Sequence, residues 1–186
     1  MSEFIDVLDE RGLKTGEVLP IDEVHRKGLW HGVAHLCVYN TDGQVLLQLR
    51  HQSRSWGANQ WDLAGAGHIS AMETPVDGAI RETQEEIGLS IRADNLTLIG
   101  VTKAVDTIPA NGLTHKVHEW NYITEKDVEP SKLELQDGET MEVKWFSIDK
   151  VRQDLNDPEA LKKYAPRSKY LYMLFIDALH ERLKHG

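Results

Sequence analysis

With a single cysteine, Cys37, the sequence has no pair from which to build an internal disulfide. Cys37 lies in an apolar run from Val33 to Tyr39, which suits a buried structural thiol better than a nucleophile. A reducing cytoplasm is the simplest setting for it. No apolar stretch approaches the ~20 residues that a membrane-spanning helix needs. The first residues carry Glu3, Asp6, Asp9 and Glu10 where a secretory signal would carry a basic segment and an apolar run, so no such signal is expected. Positive charge is in deficit: 21 Lys and Arg against 30 Asp and Glu leave a net −9, which on average repels nucleic acid and anionic membrane. Repeats, low-complexity tracts and linkers are missing as well. The 186 residues fit one domain, 1–186, long enough to bury about 70% of the surface of the unfolded chain.

What the chain has instead is a dense charged segment. Between Gly67 and Leu89 stand Glu73, Arg81, Glu82, Glu85 and Glu86, around a stretch with helix start and stop signals. Thr74 can cap the N-terminus, Pro75 suits the first helical position, and Gly88 can end the helix with positive φ. At about 100° per residue, Glu82, Glu85 and Glu86 share one face. Val76, Ala79, Ile80, Thr83 and Ile87 form a separate apolar stripe, so the carboxylates are expected to point away from the core. Three carboxylates held together repel unless neutralised. Hard oxygen donors without cysteine suit magnesium or manganese, with substrate phosphates completing the shell. A merely solvated acidic face would not account for Gly67, Glu73, Arg81 and Gly88 at fixed offsets.

Elsewhere, Phe4–Leu8 reads as a strand and Asp9–Gly16 as a turn. Val33–Tyr39 and Val45–Arg50 read as strands joined by a hairpin containing Asp42-Gly43. Leu96–Val105, Val117–Thr124 and Glu142–Phe146 read as further strands, with a loop holding Pro109, Asn111 and Gly112 between the first two. Ile148–Leu155 and 167–184 read as helices, the latter with an apolar stripe from Tyr170, Leu171, Leu174, Phe175, Ala178, Leu179 and Leu183. Mixed sheet plus helices is an α/β layered domain.

The segment 67–89 resembles a Nudix box, whose pattern is Gly-x5-Glu-x7-Arg-Glu-U-x-Glu-Glu-x-Gly-U with U a bulky aliphatic. Every defined position matches except one, where Thr83 replaces the aliphatic; the motif covers 23 of the 186 residues. The resemblance implies an α/β/α sandwich with a mixed sheet. It also implies Mg2+ or Mn2+ as cofactor, a small-molecule diphosphate as substrate, and an enzyme often found as a homodimer. It implies metal ligation by Glu82, Glu85, Glu86 and the Gly67 carbonyl, and a Glu73–Arg81 ion pair that orients the box more than it reacts. Glu85 is placed first as general base, with Glu119, Glu139 and His115 as alternatives.

Upstream, the run Val7 to Gly16, His25, Trp30-His31, Arg50, Arg54, Trp61 and Gly67-His68 is similar to the isopentenyl-diphosphate isomerase branch of that superfamily and to hydrolases sharing its N-terminal extension, here 1–31. The similarity implies that His25, His31 and His68 match metal-binding histidines, and that Arg50, Arg54 and Lys103 match residues holding the diphosphate. By their own context, His25 and His31 read more readily as surface or hydrogen-bonded histidines. His68, beside Gly67, reads equally as a metal ligand or a structural residue. Arg50 and Arg54 could hold phosphate or simply solvate a loop. Trp56 could stack on a substrate, whereas Trp61 suits core packing. The isomerase's essential cysteine falls at Ala66. Of its two glutamates on a later strand only Glu119 finds a match, Val117 taking the other place. Allylic isomerisation needs an acid and a base on opposite faces, and alanine supplies neither. Three readings therefore stand: a metal-dependent hydrolase of an organic diphosphate such as a nucleoside diphosphate, which the intact box favours; an isoprenoid isomerase; and a non-catalytic diphosphate-binding module.

Overall fold

The computed structural model describes residues 3–107 and 114–185. The expected loop at Pro109, Asn111 and Gly112 lies outside the described residues.

The chain runs β1 (Phe4–Leu8), β2 (Lys14–Pro20), α1 (Ile21–Lys27), β3 (Trp30–Tyr39), β4 (Gln44–Arg50), β5 (Trp61–Leu63), β6 (Gly65–His68), α2 (Pro75–Ile87), β7 (Thr97–Thr107), β8 (Thr114–Glu125), β9 (Thr140–Ser147), α3 (Ile148–Leu155) and α4 (Lys169–His185). Strand β3 organises a nine-stranded mixed sheet: it runs parallel to β8 and antiparallel to β1, β4 and β6. Strands β7 and β8 form a long antiparallel pair, and β9 pairs antiparallel with β4.

Period-two alternation along β3 sends side chains to two cores. Ala34, Leu36 and Val38 face a layer that includes Ala79 and Ile87 of α2. Cys37 and Tyr39 face the opposite layer, built on Ile148, Val151 and Leu155 of α3 and Leu171, Tyr172, Phe175, Ile176 and Leu179 of α4. This is the expected α/β/α arrangement, with the sheet between α2 and the pair α3/α4. Each large side chain so buried contributes about 1.5–3 kcal/mol. The buried stripe of α4 is offset from the one expected: Tyr172 and Ile176 turn inward, while Tyr170 and Leu183 are exposed. No helix among the described residues is long and apolar enough to cross a membrane.

The hairpin β3–β4 closes as its sequence dictates: Gly43 takes φ +71° and Asn40 and Gln44 bond across the turn. The N-terminal residues differ from expectation. The turn at Asp9 is short, its Oδ1 accepting from the amides of Arg11 and Leu13, and the chain returns as β2 from Lys14. Helix α1 follows and ends at Gly28 with φ +61°. Together β1, β2 and α1 close over a small apolar cluster of Ile5, Val7 and Val24, with Leu19, Ile21 and Leu29 partly buried around it.

Candidate active site

Helix α2 begins as its sequence predicts. Thr74 Oγ1 accepts from the Asp77 amide and the Asp77 carboxylate accepts from the Thr74 amide, a reciprocal cap that satisfies free N-terminal donors. Gly88 ends the helix at φ +69°, where a Cβ would come within 2.7 Å of the Glu134 carbonyl oxygen. Against expectation, the carboxylates do not all stand opposite the buried stripe. Glu85 is exposed, but Glu86 is only 4% exposed and Glu82 is half-buried, beside Ala79 and Thr83 on the face that meets β6. The cause is the strand beneath them. A Cβ at Gly65 would sit 2.0 Å from Thr83 Oγ1, and one at Gly67 would sit 2.1 Å from the Glu82 carboxyl carbon. Only glycine lets helix and strand approach this closely. Thr83 fits there by donating its hydroxyl to the Ala79 carbonyl at 2.8 Å.

The buried carboxylates are fixed from several elements. Gln48 Nε2 on β4 and the Ala66 amide on β6 both donate to Glu86 Oε2, at 2.7 and 3.1 Å. Thr140 on β9 donates to Gln48 Oε1, which orients that amide. Arg81 is the hub: Nε and Nη2 fork onto Glu73 at 2.8 and 3.1 Å, Nη1 reaches Glu82 at 2.7 Å and Glu85 at 3.1 Å, and Nη2 also donates to the His68 carbonyl at 2.9 Å. Glu73 thus forms an ion pair with Arg81. Burial pushes Glu86 up to about 8 and Glu82 up to about 7, against the opposing pull of Gln48 and Arg81 respectively. Two buried carboxylates with raised pKa, an exposed third and a bare glycine backbone make an oxygen donor set that fits a hard divalent cation.

These groups line a cavity of about 1070 Å3 that also receives Arg50, Arg54, Lys103, Glu119 and Glu139. The basic residues are less free than expected. Arg50 is 7% exposed and reaches Asp62 at 3.4 Å. Arg54 pairs with Glu139 at 2.8 Å, and Lys103 donates to the Glu10 carbonyl. Glu119 accepts from Thr102 at 2.7 Å, and burial raises its pKa. Trp61 packs edge-on against Phe146 at 4.8 Å, as expected of a core residue. The guanidinium groups of Arg50 and Arg167 lie 5.1 and 5.0 Å from the centre of the Trp56 ring.

Arg167 was not singled out from the sequence. Its guanidinium forks onto buried Asp62 at 2.7 and 2.9 Å and also lies 3.0 Å from His35 Nε2. Burial would lower its pKa, but the Asp62 charge more than offsets this and raises it. Asp62 supplies the only sequence signal: a carboxylate flanked by Trp61, Leu63 and Ala64 needs a cation, here 105 residues away.

The histidines depart most from expectation. His25, His31, His68 and His115 come together from α1, β3, β6 and β8, their ligand nitrogens all within 4.8 Å of one another. His31 is fully buried rather than on the surface, and Nε2 of both His25 and His31 lacks a hydrogen-bond partner. Burial lowers His31 to about 3 and His115 to about 4, so the rings are neutral. His115, one alternative general base, belongs to this cluster.

The NUDIX domain model matches residues 29–172. Nudix hydrolase 3 of Arabidopsis thaliana is 43% identical over 93 residues, a match spanning 50% of this chain but only 12% of that protein. An uncharacterised Nudix hydrolase of Clostridium acetobutylicum is 30% identical over 158 residues, covering 83% of this chain and 75% of the relative. An isopentenyl-diphosphate Delta-isomerase of Aliivibrio fischeri is 24% identical over 186 residues, covering 97% and 99%. The crystal structure of a protein from Deinococcus radiodurans shares the fold with TM-score 0.64 and 20% identity, over 93% of this chain and 98% of that one. The matched span contains all of α2, its carboxylates and the sheet beneath them, and the chain belongs to the Nudix hydrolase family.

Proposed function

We propose that the chain hydrolyses a diphosphate linkage in a nucleoside-diphosphate-type or related organic diphosphate, with Mg2+ or Mn2+ held by Glu82, Glu85, Glu86 and the Gly67 carbonyl. The observation that carries this is the fit of the Glu82 carboxylate into the space that a Cβ at Gly67 would fill, with Glu86 buried alongside. When bound, the divalent ion lowers the pKa of water and neutralises charge on the phosphoryl group. The chain's own residues do the rest. Arg81 orients Glu82 and Glu85, Gln48 and the Ala66 amide hold Glu86, and Glu85, exposed to the cavity, accepts the proton of the attacking water. Arg50, Arg54 and Lys103 offer positive charge to the substrate phosphates from the cavity wall.

The isomerase reading has the relative from Aliivibrio fischeri and the N-terminal histidines behind it. Against it stand Ala66, whose methyl carries no transferable proton, and Val117, buried at 1% exposure. Glu119 is left without an acid partner at either position. Incubating the protein with a panel of nucleoside diphosphates, nucleotide sugars, dinucleotides and prenyl diphosphates, with magnesium and phosphate detection, tests the hydrolase reading. Magnesium-dependent cleavage of at least one class is the expected result; double-bond migration in isopentenyl diphosphate without cleavage would overturn it.

A further inference from the structure

We infer that Arg167 determines specificity at the hydrolytic site: its guanidinium takes a phosphate or carboxylate group that the substrate carries in addition to the diphosphate that is cleaved. The inference rests on the hydrolytic reading and narrows its substrate to a diphosphate whose organic part is itself anionic.

Two guanidinium groups share one carboxylate here. Asp62 Oδ1 accepts from Arg167 Nε at 2.7 Å, from the Leu63 amide at 2.9 Å and from the Tyr172 hydroxyl at 3.3 Å. Its Oδ2 accepts from Arg167 Nη2 at 2.9 Å and Arg50 Nη1 at 3.4 Å. Asp62 is saturated, and one positive charge is left over. Glu86 and Glu119, whose charges also favour these cations, bond elsewhere: Glu86 accepts from Gln48 and the Ala66 amide, and Glu119 from Thr102. His35 brings no negative charge either. Asn121 Nδ2 donates to Thr102 Oγ1 and to the Glu119 carbonyl, both at 3.0 Å, so Asn121 Oδ1 accepts from His35 Nδ1. His35 Nε2 therefore accepts from Arg167 Nη1 at 3.0 Å, and burial keeps the ring neutral by lowering its pKa to about 3.

These bonds fix the Arg167 guanidinium without using it up. Nε, Nη1 and Nη2 each donate once, to Asp62 or His35, and each Nη carries a second N–H, so two donors remain. The side chain is 14% exposed and lines the cavity. Trp56, close to both guanidinium groups, keeps water from part of the pair, so an anion is felt more strongly than on an open surface. Phosphate and carboxylate oxygens match the planar N–H donors, whereas a hydrocarbon group in the same place would leave the charge unmet. Position separates this anion from the cleaved diphosphate. The Ala165 amide donates to the Trp61 carbonyl at 2.8 Å, and Leu171 and Tyr172 pack in the core beneath α3 and α4. Arg167 thus enters the cavity from the layer opposite α2. A diphosphate held at Glu82, Glu85 and Glu86 lies on the α2 side, which leaves Arg167 for another part of the substrate.

The test uses two matched pairs of diphosphates whose members differ by one anionic group: uridine diphosphate-glucuronate against uridine diphosphate-glucose for a carboxylate, and NADPH against NADH for a phosphate. With magnesium, the wild type should show kcat/KM at least about tenfold higher for the more charged member of one pair, the lower end of what a charged hydrogen bond contributes. The pair that responds identifies the oxyanion. Arg167→Met, in which Asp62 keeps Arg50 as its counter-ion, should bring that ratio to about one through KM, with kcat for the less charged member little changed. Arg167→Lys should lower the ratio in part, because an ammonium keeps the charge and loses the planar fork. Calorimetry of the same compounds, with calcium in place of magnesium, reads the preference without turnover. Failure to cleave any of them would then count against hydrolysis, while binding still decides the role of Arg167. No preference within either pair, in rate or in binding, would overturn the inference, as would an undiminished ratio in a folded Arg167→Met protein. Should that variant not fold, an unchanged ratio in Arg167→Lys would overturn it.

Discussion

The carboxylate face of α2 and the histidine cluster meet at adjacent residues, Gly67 and His68, yet they are made in opposite ways. Glu82, Glu85 and Glu86 come from one turn of one helix, so their grouping is a property of local geometry. The four histidines come from four elements spread over 91 residues, His25 to His115, and only the folded sheet brings them together. A local constellation survives as long as its helix forms. An assembled one reports on the whole fold. Damage to the first should therefore appear in rate, and damage to the assembled surroundings in stability.

The most complete separation should follow metal removal. Exhaustive chelation is expected to abolish hydrolysis, and magnesium to restore it and raise the melting temperature, because it binds only the native carboxylate arrangement. Activity persisting after chelation, with no thermal shift on adding magnesium or manganese, would break the reading. Next, Glu85→Gln should lower turnover by at least about 10²-fold. Its side chain is 52% exposed and bonds to Arg81 at the helix surface, so the melting temperature should barely move. Near-normal turnover in a folded variant would remove Glu85 from its role. Asp62→Asn should do the reverse. It leaves the buried Arg167 guanidinium without its counter-charge, a loss of about 3–5 kcal/mol measurable by urea unfolding; a loss below about 1 kcal/mol would show the pair to be replaceable. Thr74→Ala removes a helix cap and should cost only about 1 kcal/mol, with little change in turnover, by the same two measurements. The smallest expected effect is none: neither the wild type nor Ala66→Cys should isomerise isopentenyl diphosphate, because one thiol supplies one of the two proton-transfer groups needed. Deuterium incorporation from heavy water by the wild type would contradict this.

Legibility followed the same division. The capped helix α2, the hairpin at Asp42-Gly43 and α3 could be read because their signals lie within a few residues of one another. Strand β6 was missed because Gly65-Ala66-Gly67-His68 carries no strand propensity; its pairing is imposed by β3, where Ala34 faces Gly67 and Val33 faces His68. Helix α1 was missed because its seven residues contain one fully buried side chain, Val24, too few for a period to show. Burial of Glu86 could not be foreseen from the helix alone. It depends on Gln48 and the Ala66 amide, 38 and 20 residues away in sequence. Arg167 was invisible for the same reason, since it precedes α4 and its partner Asp62 lies 105 residues away in sequence.

The bare edge of β6 also governs how this sequence can drift. Any side chain at Gly65 or Gly67 would push α2 off the strand by the thickness of a methyl group, and the carboxylates would retreat with it. Mutational tolerance around the site is then set by the gap between a helix and a strand, and two positions that carry no side chain are as closed to substitution as those whose side chains act. Met72, 88% exposed on the loop just before the same helix, is open to change. A chain of this fold could vary its substrate by altering the cavity rim at Tyr170 or Arg54 while Gly65 and Gly67 stay as they are, which separates the freedom to acquire new chemistry from the freedom to change sequence.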